Sequence, residues 1–148
     1  MHTVKVFVTT VVALIVFAFG ASAQESGILG AWRAEVSVLR SDGATVTPSR
    51  SEITLIFEAQ NGQLLQGKKH WKDLEDHTGN VAGSEVREAD EPFIGEIESD
   101  GRTVRLVEIE DSGMMFCSLR GADELEASYV EAAPHAAVWS AVFHRVAQ

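Results

Sequence analysis

A single cysteine, Cys117, leaves the chain without any intramolecular disulfide, even in an oxidising compartment. The core must therefore hold itself together by packing. Cys117 lies in the apolar run Met114-Met115-Phe116-Cys117, where a lone thiol behaves as a small buried hydrophobe rather than a nucleophile. Positive charge is also scarce: 12 Lys and Arg stand against 22 Asp and Glu, a formal net charge of -10. That balance argues against nucleic acid and anionic lipid as partners, and leaves basic proteins, cations and neutral small molecules. Gly-x-Ser-x-Gly, phosphate-loop and dinucleotide fingerprints are missing. His70, His77, His135 and His144 fall at no metal-ligand spacing, so neither a metal nor a cofactor is expected. There is no internal repeat, low-complexity tract or linker, and no amphipathic helical stretch of useful length.

Only one long apolar run is present. Lys5 precedes Val6 to Phe19, and Ala21-Ser22-Ala23 follows as a small-residue cleavage signal, with Gln24 where a lipoprotein would need cysteine. The run is shorter than the ~20 residues of a membrane-spanning helix. Residues 1–23 are thus expected to be a signal peptide, and the product a periplasmic or secreted protein. Residues 24–148 suffice for one domain with its own core.

What the mature part does contain is period-two alternation. Trp32, Ala34, Val36 and Val38 alternate with Arg33, Glu35 and Ser37, and Ile53, Leu55 and Phe57 alternate with Glu52, Thr54 and Glu58. Turns at Ser41-Asp42-Gly43, Gln60-Asn61-Gly62, Ser99-Asp100-Gly101, Asp111-Ser112-Gly113, Gly121-Ala122-Asp123 and Ala132-Ala133-Pro134-His135, with one longer break from Lys72 to Pro92, separate eight such runs. In the third, adjacent Leu64 and Leu65 and the mid-run Gly67 predict a bulge. From Lys72 to Pro92 the alternation stops, which predicts a long acidic loop, functional or mobile. The prediction is an all-β, eight-stranded antiparallel up-and-down meander barrel, closed because an open sheet leaves two exposed edges. An outer-membrane barrel fits less well, because the runs are mostly shorter than the 9–11 residues such strands need and lack aromatic girdles.

Gly30-Ala31-Trp32 at the first strand resembles the Gly-x-Trp signature of lipocalin-like and calycin barrels. Arg145 in the last strand resembles the arginine that packs across that tryptophan. The resemblance implies that Gly30, Trp32 and Arg145 seal one end of the barrel. Avidin-type members, which lack a helix after the eighth strand, are the most similar in layout; biotin binding is not carried over, because its polar groups have no matched positions here.

A barrel of about eight strands is either filled by side chains or just wide enough for one small ligand. Inward positions should include Trp32, Val36, Leu55, Phe57, Phe93, Ile97, Leu125 and Tyr129, with Gly95 and Ala127 leaving room. Trp32, Phe57, Phe93 and Tyr129 are therefore the candidate ligand contacts, for an apolar or aromatic small molecule, with the acidic loop at the mouth. Trp71 and Trp139 are suggestive additions. Two other readings stay open. One is an acidic envelope module or inhibitor engaging a basic protein. The other is a small isomerase or cyclase using His70 near Asp73, or Glu108 with Tyr129, as its acid-base pair. Exterior positions such as Ile56 and Ile94 leave a homodimer face possible.

Overall fold

In a computed structural model, the described residues are 27–74, 88–132 and 136–147. The expected signal peptide, His77, His135 and most of the acidic loop lie outside them. Eight strands follow in chain order: β1 (Gly30–Ser41), β2 (Val46–Asn61), β3 (Leu64–Asp73), β4 (Glu88–Ile97), β5 (Thr103–Glu108), β6 (Met114–Leu119), β7 (Glu124–Glu131) and β8 (Ala136–Arg145). Each pairs antiparallel with the next, and β8 returns to β1 through Trp32↔Arg145 and Leu39↔Val138, closing the barrel. This is the predicted meander. Closure joins the two ends of the meander into one continuous sheet.

Alternation places one set of side chains inside. Along β1 the buried positions are Trp32, Ala34, Val36 and Val38, with exposed residues between them, and β5 and β7 repeat the pattern at Val104 and Leu106 and at Leu125, Ala127 and Tyr129. All eight expected inward residues are buried, from Trp32 at 0% to Tyr129 at 3% exposure.

One end is sealed. Trp32 donates its indole N–H to Ile28 O at 2.8 Å, and the Arg145 guanidinium lies 4.1 Å over the Trp32 ring. Arg145 also donates to Leu29 O at 2.7 Å, Ala122 O at 2.9 Å and Gly27 O. Gly30 enters β1 at φ 109°, a left-handed conformation that side chains disfavour, which explains glycine in the Gly-x-Trp.

Several expectations need correction. β3 continues through Asp73 and β4 begins at Glu88, so the acidic connection is shorter than Lys72–Pro92. Charged side chains hid the strand ends because they lie on the wet outer face or at the barrel mouth. The bulge falls on β2, between Phe57 and Ala59, opposite Gly67 rather than within β3. Gly67 permits it: a Cβ there would meet Ile56 O at 2.0 Å and the Phe93 ring at 2.7 Å. Room beside Gly95 is already occupied, since a Cβ would lie 2.5 Å from Leu106 Cδ2. Finally, five strands reach 10 residues or more, so strand length does not argue against a membrane barrel. The outer face of β2 and β3 does: it carries Arg50, Glu52, Lys68, His70 and Lys72 where lipid would require apolar side chains.

Candidate functional site

The barrel interior changes character along its axis. The sealed half holds Trp32, Leu55, Phe57, Phe93, Val104, Leu125 and Phe143 in one apolar cluster, with Phe57 and Phe93 edge-to-face at 5.3 Å between ring centroids. At the other end, where β3 finishes and β4 starts, the inward positions become polar. Continuing the alternation past Leu65 and Gly67 brings Lys69, Trp71 and Asp73 inward, and past Phe93 it brings Glu91.

Lys69 is the centre of this mouth. Only 4% exposed, its ammonium contacts Glu91 Oε2 at 2.5 Å and Glu108 Oε1, and sits 4.1 Å over the Tyr129 ring. Neither carboxylate oxygen facing Lys69 has another partner among the described residues. Trp71 donates its indole N–H to Glu91 Oε1 at 2.8 Å. Beside it, Arg40 holds both oxygens of Asp73 at 3.0 and 3.1 Å, Ser51 donates to Asp73 at 2.8 Å, and Arg40 lies 5.3 Å over the Trp71 ring. Trp139 stacks on Tyr129, centroids 5.3 Å apart and planes within 9°. Ser49, an inward position of β2 and 5% exposed, has no hydrogen-bond partner among the described residues. Gly113 completes the wall: a Cβ there would meet Glu108 Oε2 at 2.0 Å and Tyr129 OH at 2.4 Å.

The Tyr129 hydroxyl reveals how protons are held. Its oxygen lies 2.9 Å from Glu108 Oε2 and 3.1 Å from Glu131 Oε2, yet a phenol carries one proton. Burial, then the neighbouring Glu108 charge, pushes the phenol well above its ordinary value, so it does not ionise. The single phenol proton is therefore donated toward both carboxylates. Burial raises both Glu108 and Glu131 above 4.5. Glu108 has the Lys69 ammonium against its other oxygen, and Glu131 has no ion pair among the described residues.

A pH dependence follows. Glu108 and Glu131 bind protons more tightly folded than unfolded, so their contribution is full below about 4.5 and is lost as pH rises through their raised folded values. Asp90, lowered mainly by its hydrogen bond from Lys68, and Asp100, lowered to about 2 by its hydrogen bonds from Thr103, act oppositely. Their contribution is present above 3.8 and lost as pH falls through the folded values. Thermal midpoints measured across the pH range should peak at about pH 4 to 5, and Glu131→Gln should flatten the fall on the alkaline side. A wild-type midpoint that climbs steadily from pH 5 to 8 would contradict this account.

Of the expected ligand contacts, Tyr129 stands at the mouth, whereas Trp32, Phe57 and Phe93 belong to the packed half. Glu108 and Tyr129 do face inward together. His70 does not join Asp73: it points outward and pairs with Asp90 at 2.7 Å, because adjacent outward positions on β3 and β4 bring those two together. Cys117 is buried, with its thiol pushed up to about 12 by burial, and takes no part. Sequence reasoning missed Lys69, Asp73, Glu91 and Arg40 as interior groups. Strict period two from Leu65, from Trp32 and back from Phe93 would have found them.

No family model matches the chain, and no curated protein matches it. Among solved structures it is similar to a redesigned β-barrel bound to DFHBI, at 10% identity over 80% of this chain and 99% of that one, with a TM-score of 0.49. A second redesigned barrel shows 12% identity, 82% and 94% coverage, and a TM-score of 0.48. A de novo designed fluorescence-activating barrel shows 14% identity, 81% and 94% coverage, and a TM-score of 0.46.

Proposed function

We propose that this chain is an exported, calycin-like binding barrel whose mouth takes a compact aromatic or apolar molecule bearing positive charge. Export is supported by the apolar run Val6 to Phe19 followed by Ala21-Ser22-Ala23, and the calycin-like assignment by the Trp32–Arg145 seal. The observation that carries the ligand class is the charge count inside the mouth. Four carboxylates (Asp73, Glu91, Glu108, Glu131) face two cations (Arg40, Lys69) among the rings of Trp71, Tyr129 and Trp139. A cationic ligand offsets that excess of acid, and the rings favour cations over their faces, as Lys69 and Arg40 already show. Trp71, Glu91 and Glu131 keep part of their surface in solvent, so a ligand approaches from this end. Ser49 supplies a hydroxyl without a hydrogen-bond partner among the described residues. The apolar half offers no such place, because its rings fill it.

Tryptophan fluorescence titrated with an arylalkylammonium ion, and with the neutral alcohol of the same shape, tests the reading. The ammonium should produce saturable quenching, and the alcohol should bind at least tenfold more weakly, about 1.4 kcal/mol. Asp73→Asn and Glu131→Gln, which each remove a carboxylate from the mouth, should each weaken binding. Equal affinity for alcohol and ammonium, or no saturation by either, refutes the proposal.

A further inference from the structure

The closing seam of the barrel is joined at its two ends and unpaired between them. β1 and β8 pair at Trp32↔Arg145 and Arg33↔His144 beside the seal, and at Leu39↔Val138, Arg40↔Ala137 and Ser41↔Ala136 beside the mouth. The register is the same at both ends and would set Val36 opposite Ala141, yet no pairing joins residues 34–38 to residues 139–143. Neither strand is irregular there, since β1 pairs with β2, and β8 with β7, through every one of these positions. Val146 N donates to Ala31 O at 2.8 Å, which fixes the alternation: odd residues of β1 and even residues of β8 are the ones that exchange bonds across the seam. The main-chain groups of Glu35, Ser37, Ser140 and Val142 therefore go without their ladder partners. Ala141 marks the same place from inside. Of the inward positions Ala137, Trp139, Ala141 and Phe143, it alone is not buried. No side-chain hydrogen bond or ion pair crosses this stretch among the described residues, and Glu35 turns instead to Arg50 on β2.

We propose that residues 39–41 and 136–138 form a clip that unzips to admit the ligand, while the indole-guanidinium seal holds the other end of the seam. This rests on the binding reading above. Lys69 and Glu108 are only 4% and 3% exposed, so a ligand that reaches them has to spread the mouth. Parting two strands costs the hydrogen bonds between them, and the cost grows with each pair broken. Every other neighbouring pair of strands is joined by an unbroken run, apart from the bulge between β2 and β3, so parting them from the mouth meets a further pair at each step. At β1–β8 only three pairs stand between the mouth and a stretch that is already unpaired.

The clip also lies between the two halves of the site. Arg40, within it, grips Asp73 and covers Trp71, while Trp139, the next residue after it on β8, stacks on Tyr129. Separating residues 39–41 from 136–138 therefore moves the wall of Arg40, Asp73 and Trp71 away from the wall of Trp139 and Tyr129. The far end does not follow, because Arg145 is bonded to Leu29 O and Ala122 O and rests on the Trp32 ring.

Amide hydrogen exchange tests the clip without any ligand. The amides of Leu39, Ser41 and Val138 should be less protected than those of Arg33 and His144 by about tenfold or more, because both sets bond across the same seam and only the second is held by the seal. Equal protection at the two ends overturns the proposal. The double variant Leu39→Cys with Val138→Cys tests the gating. These two are outward cross-strand partners apart from the cluster, at a spacing a disulfide can bridge, and Cys117 is buried. In stopped-flow fluorescence with the arylalkylammonium ion, the oxidised variant should both bind and release more slowly than the reduced one by about tenfold, with Kd little changed, because a gate slows entry and exit alike. Rates that oxidation leaves unchanged overturn the gate and leave the binding reading standing. No saturable signal from the wild type sinks the binding reading, and the gate with it.

Discussion

Replacing Lys69 by methionine is expected to lower folding stability by about 3–5 kcal/mol at pH 7, a large part of what a domain of this size has. The reason is what remains behind. Glu108, its side chain 1% exposed, and Glu91, at 19%, point their oxygens at the vacated position, and each loses its cation. Without the ammonium between them the two carboxylates repel, and Glu108, the buried one, escapes by protonation. The deficit should therefore shrink as pH falls toward the carboxyl range, whereas a methionine that merely packs badly would cost the same at every pH. Adding Glu108→Gln should recover a substantial part of the loss at pH 7, because it removes one of the opposed charges. Urea unfolding at pH 7 and pH 5 for the wild type, Lys69→Met and the double variant measures both effects. A loss below ~1 kcal/mol, or one independent of pH, would show that the ammonium is not what balances the mouth. An apolar replacement of the whole cluster would be tolerated better than removal of the lysine alone.

Trp32→Ala is expected to cost about 3–5 kcal/mol, by a different route. Trp32 is fully buried and closes the end of the barrel. Its removal opens a cavity, strips Ile28 O of its donor and takes away the surface on which Arg145 rests. Trp32→Phe keeps a ring under the guanidinium and should lose about 1–3 kcal/mol, most of it from the unsatisfied carbonyl. Denaturant midpoints at constant slope give these values. If Trp32→Ala lost less than Trp32→Phe, the seal would not be what holds that end together.

The same alternation was easy to read in one half of the molecule and hard in the other. Trp32, Val36, Leu55 and Phe57 could be placed inside because every inward residue there is apolar and every outward one polar. At the mouth both faces of β3 are polar: Lys69 and Asp73 point in, Lys68, His70 and Lys72 point out. Binary patterning has no contrast to work with there, so the strand ends read as loop. The pairing of His70 with Asp90 rather than Asp73 shows the consequence, since the two aspartates differ only in which face of the barrel they occupy. An apolar outer row was equally hidden, because Val107, Met114, Val130 and Val138 look like core residues until register sets them side by side on the outside.

Taken alone, the amino-acid order determined the number of strands and their antiparallel succession. Those depend on local periodicity and on turn residues. Only the folded barrel decided that a buried lysine would meet two glutamates and a tyrosine, since these come from β3, β4, β5 and β7 and converge through closure. Short-range pattern governs which face a residue occupies, but the curvature of a closed sheet governs which faces look at one another.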